Sequence, residues 1–214
     1  MTADASDSSR PAAAGPQFEF SGGALCLDFV NTIADRVQPS TEHLQSYLDL
    51  VGWAVQGGVL SAGEGRTLEY RARRAADRAA AVLSRAIRVR EALYRVFSAV
   101  AAGQSPAAAD ISALNASLSR ALPALGVVRQ GQRFTWEWRC RDRLDAMLGP
   151  VLRSAAELLT SPEAASVREC ASPSCSWMFV DRSRTGRRRW CSMRTCGNRN
   201  KARRHYRRAR KLGA

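Results

Sequence analysis

Four cysteines near the C-terminal end, Cys170, Cys175, Cys191 and Cys196, stand as two pairs with the same C-x4-C spacing. That repetition limits what the last quarter of the chain can become. Two cysteines at this spacing can share one tight turn with both sulfurs facing inward, so two such turns supply the tetrahedral thiolate set that a structural Zn2+ ion takes. Metal binding would itself supply folding free energy to a module of roughly forty-five residues, too short for a large apolar core. Two small disulfides or four free thiols are the competing readings. Met1 to Gln17 carries no apolar run like that of a secretory signal and no stretch is apolar for long enough to span a membrane, so the expected setting is the cytoplasm, with no membrane partner and zinc as the favoured occupant. Cys26 and Cys140 stand among apolar residues far from the cluster and read as small core residues.

The charge is as localised as the cysteines. Fifteen Lys and Arg face two acidic residues, Glu169 and Asp181, from Arg168 to Ala214, while the chain as a whole carries +14. Everything before Arg168 is therefore near neutral. A GC-rich genome favours Arg over Lys, and only Lys201 and Lys211 are lysines here, but codon usage does not gather positive charge into one quarter of a sequence. A concentrated basic module usually meets a phosphate backbone or an anionic membrane surface.

In 214 residues, 45% of them hydrophobic, there is room for one medium domain beside this module. Residues 1–17 read as a disordered tail. From 18 to 163 the spacing predicts a mostly helical domain with a small antiparallel sheet, and 164–214 holds the module, giving an α+β chain with a joint at Ser161-Pro162. Phe18-Glu-Phe20 alternates like a short strand, and Leu25, Phe29 and Ile33 recur as one face of a helix. Ser40 and Thr41 can cap a second helix carrying Leu44, Tyr47, Leu48 and Val51, which stops at Gly57-Gly58. Ser61 to Glu64 matches a capping box. The run from Ala75 to Ala102, free of Gly and Pro, predicts a long amphipathic helix stopped by Gly103, and Pro106 opens another. Val127-Val128 and Phe134-Thr-Trp136-Glu-Trp138 flank a turn at Gln130-Gly131-Gln132 and read as a hairpin, its aromatics facing the core rather than stacking on bases. A helix follows from Leu144 to Leu159.

In the module, Ser176 to Val180 and Arg187 to Trp190 read as the two strands of a second hairpin around a turn at Asp181 to Gly186. Nothing breaks a helix from Asn198 to Lys211, where Ala202, Tyr206 and Ala209 form a thin stripe expected to pack on the hairpin. Arginines three and four residues apart repel, so the metal core must anchor this helix, and the partial positive charge of its N-terminus would face the thiolates. Its outer face would present Arg199, Lys201, Arg203 and Arg204, then Arg207, Arg208 and Lys211, with Arg187, Arg188 and Arg189 extending the surface. Trp177 and Trp190 are expected to pack around the metal loop. His205 reads as a surface residue because four thiolates complete the shell, and His43 as exposed or structurally partnered. Asp28, Asn31 and Thr32 sit in an apolar segment and each needs a hydrogen-bond partner, with a small-molecule pocket as the alternative use.

The run Cys196-Gly197-Asn198-Arg199, behind Cys191 and the Cys170/Cys175 pair, resembles the CGNR zinc finger. Leu25-Cys-Leu-Asp28-Phe29-Val30-Asn31-Thr32, preceded by Gly22-Gly23, resembles the start of the ABATE domain that accompanies this finger in bacterial proteins. The resemblance covers nearly the whole chain after residue 17. It implies a stress-response transcriptional regulator with a DNA-binding end of zinc-ribbon-like or treble-clef-like fold, ligated by the same four cysteines. Gly197 would let the backbone pass close to the metal turn, Asn198 could cap the helix, and both Asn198 and Arg199 would support the metal loop rather than read bases.

The chain lacks H-E-x-x-H, a phosphate-binding glycine loop and a G-x-S-x-G elbow, and has two histidines, so an enzyme is not expected. The expected partner is DNA, with RNA or the ribosome as the alternative because both polymers present phosphates. An acidic protein partner is a third reading. A small-molecule effector or a homodimer is expected to engage the N-terminal domain.

Overall fold

The computed structural model describes residues 16–36, 41–203 and 206. Six α-helices are named along these residues: α1 (Leu25–Val30), α2 (Tyr47–Gln56), α3 (Ala62–Arg74), α4 (Ala76–Ala101), α5 (Ala108–Ala121) and α6 (Leu148–Thr160). Two antiparallel pairs accompany them, β1 (Leu125–Gln130) with β2 (Arg133–Trp138), and β3 (Val167–Glu169) with β4 (Met178–Val180). The fold is thus α+β, mostly helical, with two small sheets and a cysteine cluster at its C-terminal end.

The long helix α4 is the spine. Its buried stripe includes Val82, Ala86, Val89, Leu93 and Phe97, and α1, α2, α3, α5, β3 and β4 all pack on it. Gly103 ends it in the left-handed region, φ 68°. Ser61 and Glu64 form the expected capping box at α3. The cap of α2 is a correction: Ser46 and Asp49 make the box, so the helix starts at Tyr47 rather than after Ser40-Thr41. The segment before it is held open by Arg90, which is 1% exposed and clamps both carboxylate oxygens of Glu42 at 2.7 and 2.6 Å. Burial raises the Glu42 pKa and the Arg90 hydrogen bonds lower it, with the second effect winning.

Other expectations shift in the same way. Phe18-Glu-Phe20 forms no strand; Phe20 instead stacks near Trp53, and the Phe18 N–H donates to Gln56. α1 ends at Val30, leaving Ile33 in an isolated bridge with Glu42. Pro106 precedes α5 by two residues, and α6 begins at Leu148, not Leu144. The β1–β2 hairpin forms, with Gln130 paired to Arg133 so that the turn is Gly131-Gln132, but its aromatic face is not core: Phe134 is 73% and Trp136 56% exposed, and only Trp138 turns inward, onto Gly149. Cys26 is buried, whereas Cys140 is exposed with a left-handed φ of 60°.

The largest departure lies at the expected joint. Ser161-Pro162 leads into a 3-10 turn, Pro162–Ser166, and the strand that pairs with β4 is β3, ahead of the first cysteine, not Arg187 to Trp190. The latter segment runs irregularly, joined to the first cysteine turn by Ala171 N–H donating to Arg189 O at 2.9 Å. Val167, Met178 and Val180 belong to the main core together with α1, α4 and α6. Residues 1–15, 37–40, 204–205 and 207–214 lie outside the description, and with them most of the tail, Arg204, His205, Arg207, Arg208, Ala209 and Lys211.

Candidate metal centre and nucleic-acid interface

The two cysteine turns are built from local hydrogen bonds. Cys175 N–H donates to Ser172 O at 3.0 Å and Cys170 N–H to Trp177 O at 2.9 Å, closing the first turn. In the second, Ser192 caps a π-turn, Met193–Gly197, by accepting from Thr195 N–H, and helical residues 198–203 follow directly. Cys196 therefore sits inside the first helical turn rather than ahead of it.

The four ligand atoms all lie within 4.8 Å of one another, and all four cysteines are buried. Cys175 Sγ is 3.7 Å from Cys191 Sγ, which is 3.6 Å from Cys196 Sγ. A tetrahedral Zn–S bond of about 2.3 Å sets sulfurs about 3.8 Å apart, whereas a disulfide needs about 2.05 Å. No pair is bonded. Hydrogen bonds among the thiols draw the Cys170 pKa down, through donation from Cys175 and Cys191, and push those of Cys175 and Cys191 up. One dication would satisfy all four sulfurs together, and an all-thiolate set selects a soft, tetrahedral metal such as Zn2+. Backbone amides already point at the sulfurs, Cys191 N–H donating to Cys170 Sγ at 3.4 Å. The residues fit zinc, and four thiolates leave it a structural role.

Phe179 is buried beneath the cluster, with Trp177 and Trp190 packed against it as expected of both. Arg188 departs from the expected outward-facing surface. Its guanidinium lies 4.3 Å from the Phe179 ring centroid and donates to the carbonyls of Trp190, Cys191 and Ser21. Asp181, buried in the turn, aligns it by accepting from Ser183 N–H and Arg188 N–H, both at 2.9 Å. Asn200 ties the helix to the first cysteine turn through Ser172 Oγ and Cys196 O. The sequence reading missed all three roles. The D-x-S step of Asp181 to Ser183 was a usable turn signal, and Asn200 stands one turn beyond Cys196.

Asn198 does not cap the helix; its Nδ2 donates back to Arg194 O at 3.2 Å. A side chain at Gly197 would meet Met193 at 2.9 Å and Trp190 at 3.4 Å, so the close approach is to side chains in and beside the second cysteine turn. Arg187, Arg189, Arg199, Lys201 and Arg203 are exposed, with Arg199 reaching Ser174 Oγ and Arg189 over Trp190. Arg194, also exposed, joins them. None of the six has a carboxylate partner among the described residues. Ala202 and Tyr206 are exposed, and Ala209, the third residue of the stripe, lies outside the described residues.

The module is fastened to the N-terminal domain by the segment 21–36. Val180 N–H donates to Gly22 O at 2.8 Å, Trp177 Nε1 to Ile33 O at 2.7 Å, and Arg36 N–H to Ser176 Oγ at 3.1 Å. Asn31 pairs through its amide with the Met178 main chain. Asp28 accepts from Gly22 N–H at 2.7 Å, and Thr32 donates to Phe29 O while accepting from Arg90. All three polar residues of this segment thus find structural partners, as expected. His43 stands edge-on to Phe18.

Two family models match the chain in order. Residues 166–209 match the CGNR zinc finger, and residues 23–162 match ABATE, described as a putative stress-induced transcription regulator. No curated protein matches the chain. The segment that grips the module lies at the start of the ABATE match, and the four cysteines fall within the zinc-finger match. The chain belongs to the ABATE family and carries a CGNR zinc finger behind that domain.

Proposed function

We propose that this chain is a cytoplasmic DNA-binding transcriptional regulator of the stress response, in which zinc shapes the nucleic-acid-binding end. The observation that carries the reading is the set of exposed, carboxylate-free cations on the cysteine turns and the helix behind them: Arg187, Arg189, Arg194, Arg199, Lys201 and Arg203. Arg204, Arg207, Arg208 and Lys211 extend the same basic run in sequence. Such groups neutralise backbone phosphates, and sequence preference would come from two or three of them reaching base edges. Arg188 is left out because its guanidinium is occupied. No catalytic step is assigned.

The N-terminal domain is the sensing or dimerisation half. The apolar hairpin face of Val127, Phe134 and Trp136, one side of the β1–β2 pair, supports pairing with a second copy. Competition binding tests the nucleic-acid assignment, with labelled duplex DNA displaced by unlabelled duplex DNA or by structured RNA. DNA should compete better, and log affinity should fall with log salt at a slope of about −0.9 per phosphate neutralised. Stronger competition by RNA would transfer the function to an RNA target.

A further inference from the structure

The domain in front of the finger contains a cavity of about 260 Å³, bounded by α4, the end of α5, the start of α6 and the base of the β1–β2 hairpin. Its floor is apolar, made by Val89, Leu148 and Leu152, all buried. Trp138 forms one wall, its ring pressed so close to α6 that a Cβ on Gly149 would come within 2.6 Å of it. Four arginines, Arg85, Arg120, Arg139 and Arg143, and one acidic residue, Asp145, complete the lining. Asp145 is already engaged, by Arg85 at 2.7 Å and Arg143 at 3.1 Å. Arg120 and Arg139 have no carboxylate partner among the described residues.

One further feature favours negative charge there, and another shapes the opening. α6 starts at the cavity with no side chain capping its first turn, so its N-terminal dipole adds to the positive lining. The left-handed backbone at Cys140, a conformation that costs a non-glycine residue free energy, sets the corner from which Arg139 and Arg143 flank the opening. A second cavity of about 270 Å³ shares Arg85, Val89, Ser117 and Arg120 and continues along the seam of α4 and α5. An apolar floor, an aromatic wall and a few convergent polar groups are the usual make-up of a small-molecule site.

We infer that this cavity binds a small organic anion: a compact, ring-bearing body seated on the apolar floor against Trp138, with a carboxylate or similar acid group held by Arg120 and Arg139. The inference rests on the reading of this domain as the sensing half. It names the site and the chemical class of the effector.

The test is calorimetric titration of the zinc-loaded full chain with 2-naphthoate, its neutral analogue 2-naphthamide, and inorganic phosphate. Naphthoate should bind at least about tenfold more tightly than either, because only it satisfies both the floor and the free guanidinium groups. Arg120→Ala with Arg139→Ala should remove about tenfold or more of that affinity. In the unmodified protein, naphthoate should also slow alkylation of Cys140 by N-ethylmaleimide, read by mass spectrometry, so that a misfolded variant does not decide the matter. Equal binding of naphthoate and naphthamide, equal binding of phosphate, or unprotected Cys140 would overturn the site. Duplex-DNA affinity measured with and without naphthoate separates the two readings. Anion binding that leaves DNA affinity unchanged keeps the site and ends the sensing role, whereas DNA binding without anion binding ends the site alone.

Discussion

The Asn31 side chain and the Met178 main chain exchange two buried hydrogen bonds, Asn31 Nδ2 donating to Met178 O at 2.9 Å and Met178 N–H donating to Asn31 Oδ1 at 2.8 Å. A side-chain amide thereby acts as a one-residue strand beside β4, and it fixes the cysteine module to α1. Asn31→Leu has nearly the same size but would leave the Met178 N–H and C=O buried without partners. We expect a loss of about 2–4 kcal/mol in urea unfolding of the zinc-loaded protein. A loss under about 0.5 kcal/mol, the size of an ordinary surface change, would show that the pairing does not hold the module.

Arg188 and Arg187 are neighbours in sequence, the first turned inward and the second exposed, and the proposed function gives them opposite duties. Arg188 braces the cysteine turn from behind, next to a zinc site whose four thiolates leave a net charge of about −2. Arg188→Ala should weaken zinc retention about tenfold in competition with a chelating dye, in line with the loss of other groups that orient metal ligands. Arg187→Ala should leave zinc retention unchanged and lower the salt slope of DNA binding by about one phosphate contact. Reversal of the two outcomes would refute the assignment.

The buried Arg90 holds Glu42 and Glu91 together beside Thr32. Arg90→Met keeps much of the side-chain volume but strands the Glu42 carboxylate, while Glu91 keeps Arg36 at 3.1 Å, for an expected cost of about 3 kcal/mol in thermal or urea unfolding. Adding Glu42→Gln should recover part of that loss. Without such recovery, the cost would come from packing and not from unpaired charge.

Burial pushes the Asp28 carboxyl up to about 6 from 3.8, against the hydrogen bond it accepts from Gly22 N–H. Over that interval the folded state holds a proton that the unfolded state has lost, so this group's contribution to stability falls as pH rises from about 4 to about 6 and stays low above. Asp28→Asn retains an acceptor for Gly22 without the charge. With zinc saturating, its melting temperature should gain on that of the unmodified protein between about pH 5 and pH 7.5, by a few degrees. A constant difference across the range would mean that Asp28 is ionised throughout.

How far the sequence carries can be judged from individual positions. Ser61 and Glu64, the long run of α4 and the hairpin of Val127-Val128 with Phe134 to Trp138 were legible because each depends on residues close in the chain. The four cysteines were legible because their chemistry allows few uses. Less legible were the partners of β4 and Asn31, since β4 pairs with β3 across the first cysteine turn, and Asn31 meets Met178 from 147 residues away. Arg188 was misread because composition places arginine at the surface, while Phe179 and three carbonyls draw this one inward. The hairpin aromatics show the opposite error, for alternation puts Phe134 and Trp136 on one face without saying whether anything covers it.

The central claim is that one zinc ion, closed in by Cys170, Cys175, Cys191 and Cys196, organises the surface that binds DNA. It is tested most directly by measuring metal content and duplex-DNA anisotropy on the same preparation, before and after chelation and again after zinc is restored. The account predicts one zinc per chain, an affinity that drops at least about tenfold on its removal, and recovery on its return. A preparation without metal that binds DNA as tightly as the loaded protein would contradict it.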